Sequence, residues 1–382
     1  MTDNFADIRP YTTDEIPATI KRLLDDNSFV TFVQQFQPQI NIEELRAIFN
    51  QIQTPTDVHR YCGFPLLKWL KENKTDGLTF SGLENFEQPA IAISNHRDII
   101  LDAAFMNYVL MSNQMETTEM GIGDNLLATN WLYTFIRMAK CFIIKRALSQ
   151  REMLHALTQL SAYIRHAITE KRTSIWIAQR EGRAKDSDDK TQESILKMFA
   201  ISGNSSFIEN LKSLNITPVT ISYEYDPCDF LKAKEFQLQR DHTDYKKTKN
   251  DDVISMKTGV LGYKGRVHYA FSPCINTDLE IIAKQTTNRK EQIATTANLI
   301  DRYIHANYTI YPINKIAYDT LFESKHFAAE YSADEKKAAL NYFDGQIAKI
   351  DLPDVDVPFV RHKLLEMYAN PLKNYLQATE QQ

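Results

Sequence analysis

Glycine, proline and cysteine are all scarce in this chain of 382 residues, at 11, 13 and 4. That scarcity excludes a collagen-like or linker-rich protein. The cysteines Cys62, Cys141, Cys228 and Cys274 stand far apart and form no CxxC or zinc spacing. Neither a disulfide framework nor a metal site is therefore expected, and the thiols suit a reducing compartment. Long apolar runs are also missing. A bilayer span needs about 20 apolar residues; the best stretches, Ile99 to Met111 and Trp131 to Ile144, are too short or carry Arg137 and Lys140. The opening Met1-Thr-Asp-Asn-Phe lacks the basic and apolar regions of a signal peptide. Nor is there an excess of positive charge: 44 Lys+Arg against 49 Asp+Glu leave −5, which disfavours a nucleic-acid partner.

Aromatic and apolar residues are plentiful, with 20 Phe, 18 Tyr and 43% hydrophobic residues, enough for a sizeable core. Residues 1–75 read as helical: Thr13-Asp-Glu-Ile16 and Asn41-Ile-Glu-Glu44 look like helix starts, and Ile20, Leu23 and Leu24 follow at helical spacing. The texture changes near residue 76. Short apolar runs at Pro89–Ser94, Cys141–Ile144, Ser174–Ala178 and Thr217–Tyr223 read as strands, separated by helices at Ile99–Leu110 and Glu152–Glu170. Strands alternating with helices predict an α/β fold, a central mixed sheet flanked by helices, over residues 76–286. Arg240–Asp252 reads as a charged, solvated loop, and residues 287–382 as a helical C-terminal region.

The segment richest in chemistry is Ile91-Ala-Ile-Ser-Asn-His-Arg-Asp-Ile-Ile-Leu-Asp102. A strand runs into a loop with one His and two Asp and then at once into a helix, the place where α/β proteins hold ligands. A neutral imidazole accepts a hydroxyl proton when a carboxylate fixes its tautomer. The competing reading is a helix cap in which the aspartates satisfy the first amides. His96-Arg97-Asp98 also resembles a kinase catalytic loop. That reading fails, because the metal-binding Asn would fall at Ala103 and neither an Asp-Phe-Gly nor a glycine-rich loop is present. Cations follow the next strand candidates: Lys145 and Arg146 after the second, Arg180, Arg183 and Lys185 around Gly182 after the third. Basic side chains at successive strand ends of one sheet would converge on one rim, the outline of a phosphate site.

Taken in order, four segments resemble the glycerolipid acyltransferase superfamily, the glycerol-3-phosphate and 1-acylglycerol-3-phosphate acyltransferases. They are Asn95-His96 with Asp102, Phe142-Ile-Ile-Lys-Arg146, Glu181-Gly182-Arg183 and Pro218-Val-Thr-Ile221. Tyr223-Glu224 is most similar to the bacterial branch, and the resemblance covers roughly residues 85–230. The match departs from the pattern twice. The family spacing puts the carboxylate at Leu101, so the partner of His96 is either Asp102 or Asp98, and Arg183 follows Gly182 without the usual intervening residue.

The resemblance implies transfer of a fatty acyl group from acyl-CoA or acyl-carrier protein to a hydroxyl of glycerol-3-phosphate or lysophosphatidate, in phospholipid biosynthesis. His96 would be the general base and Asp102 its orienting carboxylate, with Arg146, Arg183 and Lys145 on the phosphate and Glu181 and Gly182 shaping the loop. No cofactor and no metal is implied. Two alternatives share the fold: a non-catalytic lipid-binding scaffold and an acyltransferase for a non-glycerol lipid. A lipid product implies a cytoplasmic protein attached peripherally to the inner face of the membrane. The expected contacts are Trp131–Ile136 with Arg137 and Lys140, and the lysines Lys246, Lys247 and Lys249.

Overall fold

A computed structural model describes residues 3–36, 40–87, 89–127, 129–146 and 148–380. The strands are β1 (Gly77–Ser81), β2 (Ile91–Ser94), β3 (Glu119–Gly123), β4 (Cys141–Ile144), β5 (Ile175–Ala178), β6 (Ile216–Tyr223) and β7 (Arg266–Phe271). They form one mixed seven-stranded sheet in the order β1-β7-β6-β2-β5-β3-β4. The five strands from β6 to β4 are mutually parallel; β7 is antiparallel to β6, and β1 is parallel to β7. The carboxyl ends of the five parallel strands therefore share one edge of the sheet.

Strand periodicity distributes the core over two faces. Ile91, Ile93, Ile175 and Ile177 face the helices Gln150–Thr169, Glu193–Ala200 and Arg289–Ala306 through Ile164, Phe199 and Ile300. The alternate residues Ala92, Trp176 and Val219 pack on the helix Leu101–Ser112 through Phe105, Met106 and Val109. Both faces are covered, as a largely parallel sheet requires. Helices precede and follow this layer: among the described residues, five α-helices lie between Ile16 and Lys74, and Pro312–Leu321, Ala333–Ile347 and Val357–Thr379 follow the sheet. At Asn41 the expected helix start holds, its side chain accepting from Glu44 N at 2.9 Å. The first start falls one residue earlier than the expected Thr13, at Thr12, whose amide donates to Glu15 Oε2 at 2.7 Å.

Two expectations are corrected. The Trp131–Ile136 stretch is not a free amphipathic surface. It belongs to the helix Asn130–Met138, whose Trp131 and Phe135 rings lie 5.7 and 6.1 Å from Phe29 in the cluster of N-terminal helices. Arg137 donates to Arg9 O at 2.8 Å and sits over the Tyr11 ring, and the buried Lys140 donates to Thr117 O at 2.6 Å. Those cations are spent inside the protein. The charged stretch 240–252 is also shorter as a loop than expected. The helix Asp229–Asp241 takes its start, and a new helix, Lys249–Leu261, opens where Thr248 and Asp251 cap each other. Within the connector Lys247 pairs with Asp252 at 2.5 Å, while the Lys249 side chain lies outside the described residues.

Under the C-terminal helices the carboxylate of Asp229 is fully buried and accepts from Tyr342 Oη at 2.7 Å and Tyr368 Oη at 2.8 Å. Burial, and secondly Asp226, push its pKa up to about 7. A carboxyl raised above its unfolded value stabilises the fold at acid pH, and that contribution is lost as pH rises through 7. Urea midpoints of wild type should therefore fall between about pH 5 and about pH 8, and Asp229→Asn should flatten the fall. Parallel pH profiles for the two proteins would refute this assignment.

Candidate functional site

The loop after β2 is fixed from three sides. At its root, Ser94 Oγ accepts from Trp176 Nε1 at 3.0 Å and donates to Asn95 O at 2.8 Å. Asn95, fully buried, extends the sheet with its side chain. Its Nδ2 donates to Ile221 O at 2.9 Å and its Oδ1 accepts from Ile221 N at 2.8 Å. This two-point clamp ties the end of β2 to β6, and the next residue is His96.

His96 Nδ1 lies 2.8 Å from Asp102 Oδ2. The same oxygen accepts from Arg97 N at 2.6 Å and Asp98 N at 3.0 Å. Three donors from one turn of loop thus converge on one carboxylate oxygen, and the Asp102 side chain is fully buried. A carboxylate facing Nδ1 puts the proton on that nitrogen and leaves the Nε2 lone pair as the basic site. The ring is 14% exposed and meets the Trp176 ring edge-on at 5.9 Å.

The extra residue in the His96–Asp102 spacing is absorbed by this wrapping, because Asp102 lies in the first turn of the helix Leu101–Ser112 while the loop curls back over it. Asp98 does other work. Its Oδ1 accepts from Ile100 N at 2.9 Å and Leu101 N at 2.7 Å, capping the helix. Burial raises the Asp98 pKa and the neighbouring Asp102 raises it further, while Arg183 opposes them.

The basic residues are only partly brought together. Arg146 binds Asp124 Oδ1 through its amide at 3.2 Å and pairs with Glu181, so the turns after β4 and β5 meet. Arg183 lies beside Cys228, Asp226 and Asp98, and those acidic neighbours outweigh its burial and hold its pKa up. Gly182 has φ +68°, the left-handed region that glycine enters without strain, and the space where a Cβ would stand is open. Lys145 pairs instead with Asp7 of the N-terminal segment, and Lys185 with Glu235. Arg146 Nε, Arg180 Nε and Arg183 Nη1 are buried nitrogens without a hydrogen-bond partner among the described residues. Buried donors left unpaired are costly, so each of these guanidinium groups suits an added acceptor such as an anion oxygen.

Sequence reasoning missed the support behind the loop. Arg97 is buried, ion-paired with Asp189 and 3.0 Å from Tyr308 Oη, which itself donates to Asp189 at 2.6 Å. These partners are too distant along the chain for any local pattern to reveal them. Among the described residues, no three His, Cys, Asp or Glu side chains gather as metal ligands, and no helix is long and apolar enough to cross a membrane. Chemically the arrangement offers a hydrogen-bonded imidazole as proton acceptor, with guanidinium donors on the same sheet edge.

Residues 77–222 match the family model described as Acyltransferase. Among solved structures, the chain is similar to a 1-acyl-sn-glycerophosphate (LPA) acyltransferase, PlsC, from Thermotoga maritima. The two are 11% identical with a TM-score of 0.36, over 76% of this chain and 92% of that one. Comparison with curated proteins gives no match.

The Asn95 clamp predicts a measurable defect. Asn95→Ala leaves Ile221 N and O unpaired in a buried place, at about 1–3 kcal/mol for each group. The urea unfolding midpoint should drop accordingly. An unchanged midpoint would show that the clamp does not hold β2 to β6.

Proposed function

We propose, from the match of residues 77–222 to the Acyltransferase family model, that this chain moves a fatty acyl group from a thioester, acyl-CoA or acyl-carrier protein, to a hydroxyl of a phosphorylated glycerol acceptor, glycerol-3-phosphate or lysophosphatidate. The observation that carries this reading is the His96–Asp102 pair at 2.8 Å, with Asp102 held by two further amides. In the reaction His96 Nε2 takes the acceptor's hydroxyl proton as that oxygen attacks the thioester carbonyl. The buried Asp102 carboxylate stabilises the imidazolium that results. Collapse of the tetrahedral intermediate expels the thiolate, which leaves with the proton carried by His96. Nothing in this sequence of steps requires an acyl-enzyme.

Arg183 and Arg146 hold the acceptor phosphate, with Arg180 as a third donor, and so place the hydroxyl near His96. The unpaired guanidinium nitrogens support that role. Glu181 keeps Arg146 in place through its ion pair. Lys145, committed to Asp7, is the weakest member of the set. Asp102 is the orienting carboxylate and Asp98 the helix cap, a division of labour supported by their separate hydrogen-bond partners.

Purified protein incubated with a labelled acyl thioester, with and without acceptor, tests the reaction. Transfer should require acceptor; release of fatty acid without it would indicate a hydrolase, and neither would indicate a lipid-binding scaffold. His96→Ala should lower turnover by about 10²–10⁴-fold, the usual worth of a positioned acid–base group. Asp102→Asn should act in the same direction and more strongly than Asp98→Asn; the reverse order would overturn the dyad. Arg183→Ala should raise KM for a phosphorylated acceptor by roughly 10- to 150-fold, from about 1.5–3 kcal/mol for a charge-assisted hydrogen bond. An equal rise in KM for the thioester would reject the phosphate role.

A further inference from the structure

The helix Lys249–Leu261 turns part of its apolar surface to water. A surface helix normally buries an apolar stripe and shows polar residues to water. Here Ser255 and Gly259 are buried, whereas Val253 and Ile254 are 47% and 42% exposed, with Lys257 exposed beside them. The buried side rests on the loop that carries His96. Gly259 lies so close to the Asp98 carboxylate that a Cβ there would collide with it. Ser255 O accepts from Cys228 Sγ at 3.3 Å, and Lys264 Nζ binds the closing carbonyls of Val260 and Gly262 at 3.1 and 2.6 Å. The helix also touches the turn Asp124–Leu126 after β3 and the helix Phe64–Lys74. It therefore crosses the carboxyl-end edge of the sheet, over the loop after β2, seating Ser255 and Gly259 there with Val260 partly buried against the core.

The surroundings repeat the pattern. Leu66 and Trp69 on the neighbouring helix are 52% and 46% exposed, Tyr263 at the end of the crossing helix 50%, and Ile100 in the catalytic loop 42%. Lysines lie among them: Lys68 is exposed, and Lys74 Nζ stands 5.8 Å from the Trp69 ring centre. Aliphatic side chains with interspersed Trp, Tyr and Lys match the acyl, headgroup and phosphate levels of an anionic bilayer.

We infer that helix Lys249–Leu261 is a lid whose outer face, led by Val253 and Ile254, docks on an anionic lipid surface, and that docking lifts Gly259 from Asp98 and frees the loop that carries His96. The inference deepens the proposed transfer reaction and takes from it the expectation of a lipid substrate. A surface that binds the lifted form better than the seated one shifts the balance toward the open state by that difference in affinity.

The test has two readouts that need no catalysis. Vesicles of phosphatidylcholine, with and without phosphatidylglycerol, are sedimented with wild type and with the double variant Val253→Ser/Ile254→Ser. In a Cys62→Ser/Cys141→Ser/Cys274→Ser background, the rate at which a thiol reagent labels Cys228 reports lifting, because Cys228 is 1% exposed and bonded beneath Ser255. If the triple variant fails to fold, mass-spectrometric reading of Cys228 in the natural chain replaces it. Phosphatidylglycerol vesicles should bind wild type and speed Cys228 labelling by roughly tenfold, and the double variant should lose both responses. It should keep wild-type transfer of a short, soluble substrate pair in the absence of vesicles. Binding that survives the double substitution, or labelling indifferent to vesicles, overturns the lid. Acceleration by an acidic carrier protein and not by vesicles also overturns it, because the face would then be a protein-docking surface. Lipid-dependent lifting in a protein that transfers no acyl group would leave the lid standing and remove the transferase reading.

Discussion

One carboxylate oxygen organises the site. Asp102 Oδ2 receives the His96 ring nitrogen and two successive backbone amides, and the segment from residue 96 to residue 98 closes around it as a nest. Because the charge is buried, each of these bonds is stronger than it would be in water, and the loss of any one leaves the charge partly unsatisfied. Imidazole orientation, loop shape and the entry of the helix Leu101–Ser112 are thus set by the same interaction. The second aspartate keeps the first available: Asp98 satisfies the amides of Ile100 and Leu101, which would otherwise compete for Asp102.

Features that live within one turn of chain were legible in the sequence. The strand–loop–helix segment with His96, the cap at Asn41, and the strands at Ile91 and Ile175 all rest on neighbours a few residues away. Which aspartate meets His96 was left open, since the choice depends on how the loop curls rather than on spacing. Surfaces were read least well. A short helix with Trp131 and Phe135 on one side has the same pattern whether lipid or protein covers it, and its cover, Phe29, comes from a distant part of the chain. The density of charge in 240–252 signalled solvent correctly but hid a capping box at Thr248, where acidic residues favour a helix start. The edge pair β1 and β7 was missed because β7 pairs backward on β6 after two intervening helices.

The buried cations differ in whether every donor nitrogen finds a partner inside the fold. Arg137, Lys140 and Lys264 are buried cations whose donors go to backbone carbonyls, and they serve architecture. Arg146, Arg180 and Arg183 each keep one buried nitrogen with no hydrogen-bond partner among the described residues, although Arg146 also pairs with Glu181. Because a folded protein leaves few buried donors unmet, this contrast supports the anion-binding role proposed for these three arginines.

The bond between Arg97 and the Asp189–Tyr308 pair has a consequence for modularity. The stretch that matches the family model ends at residue 222, yet Tyr308, which helps seat the residue after His96, comes from the C-terminal helical part. A piece cut to the limits of the family match would retain His96 and Asp102, but Arg97 would lose its hydroxyl partner and Asp189 would lose a donor. The terminal helices are thus a remote wall of the site. Grafting the core onto another scaffold would require carrying Tyr308 along, or rebuilding its hydroxyl from another direction.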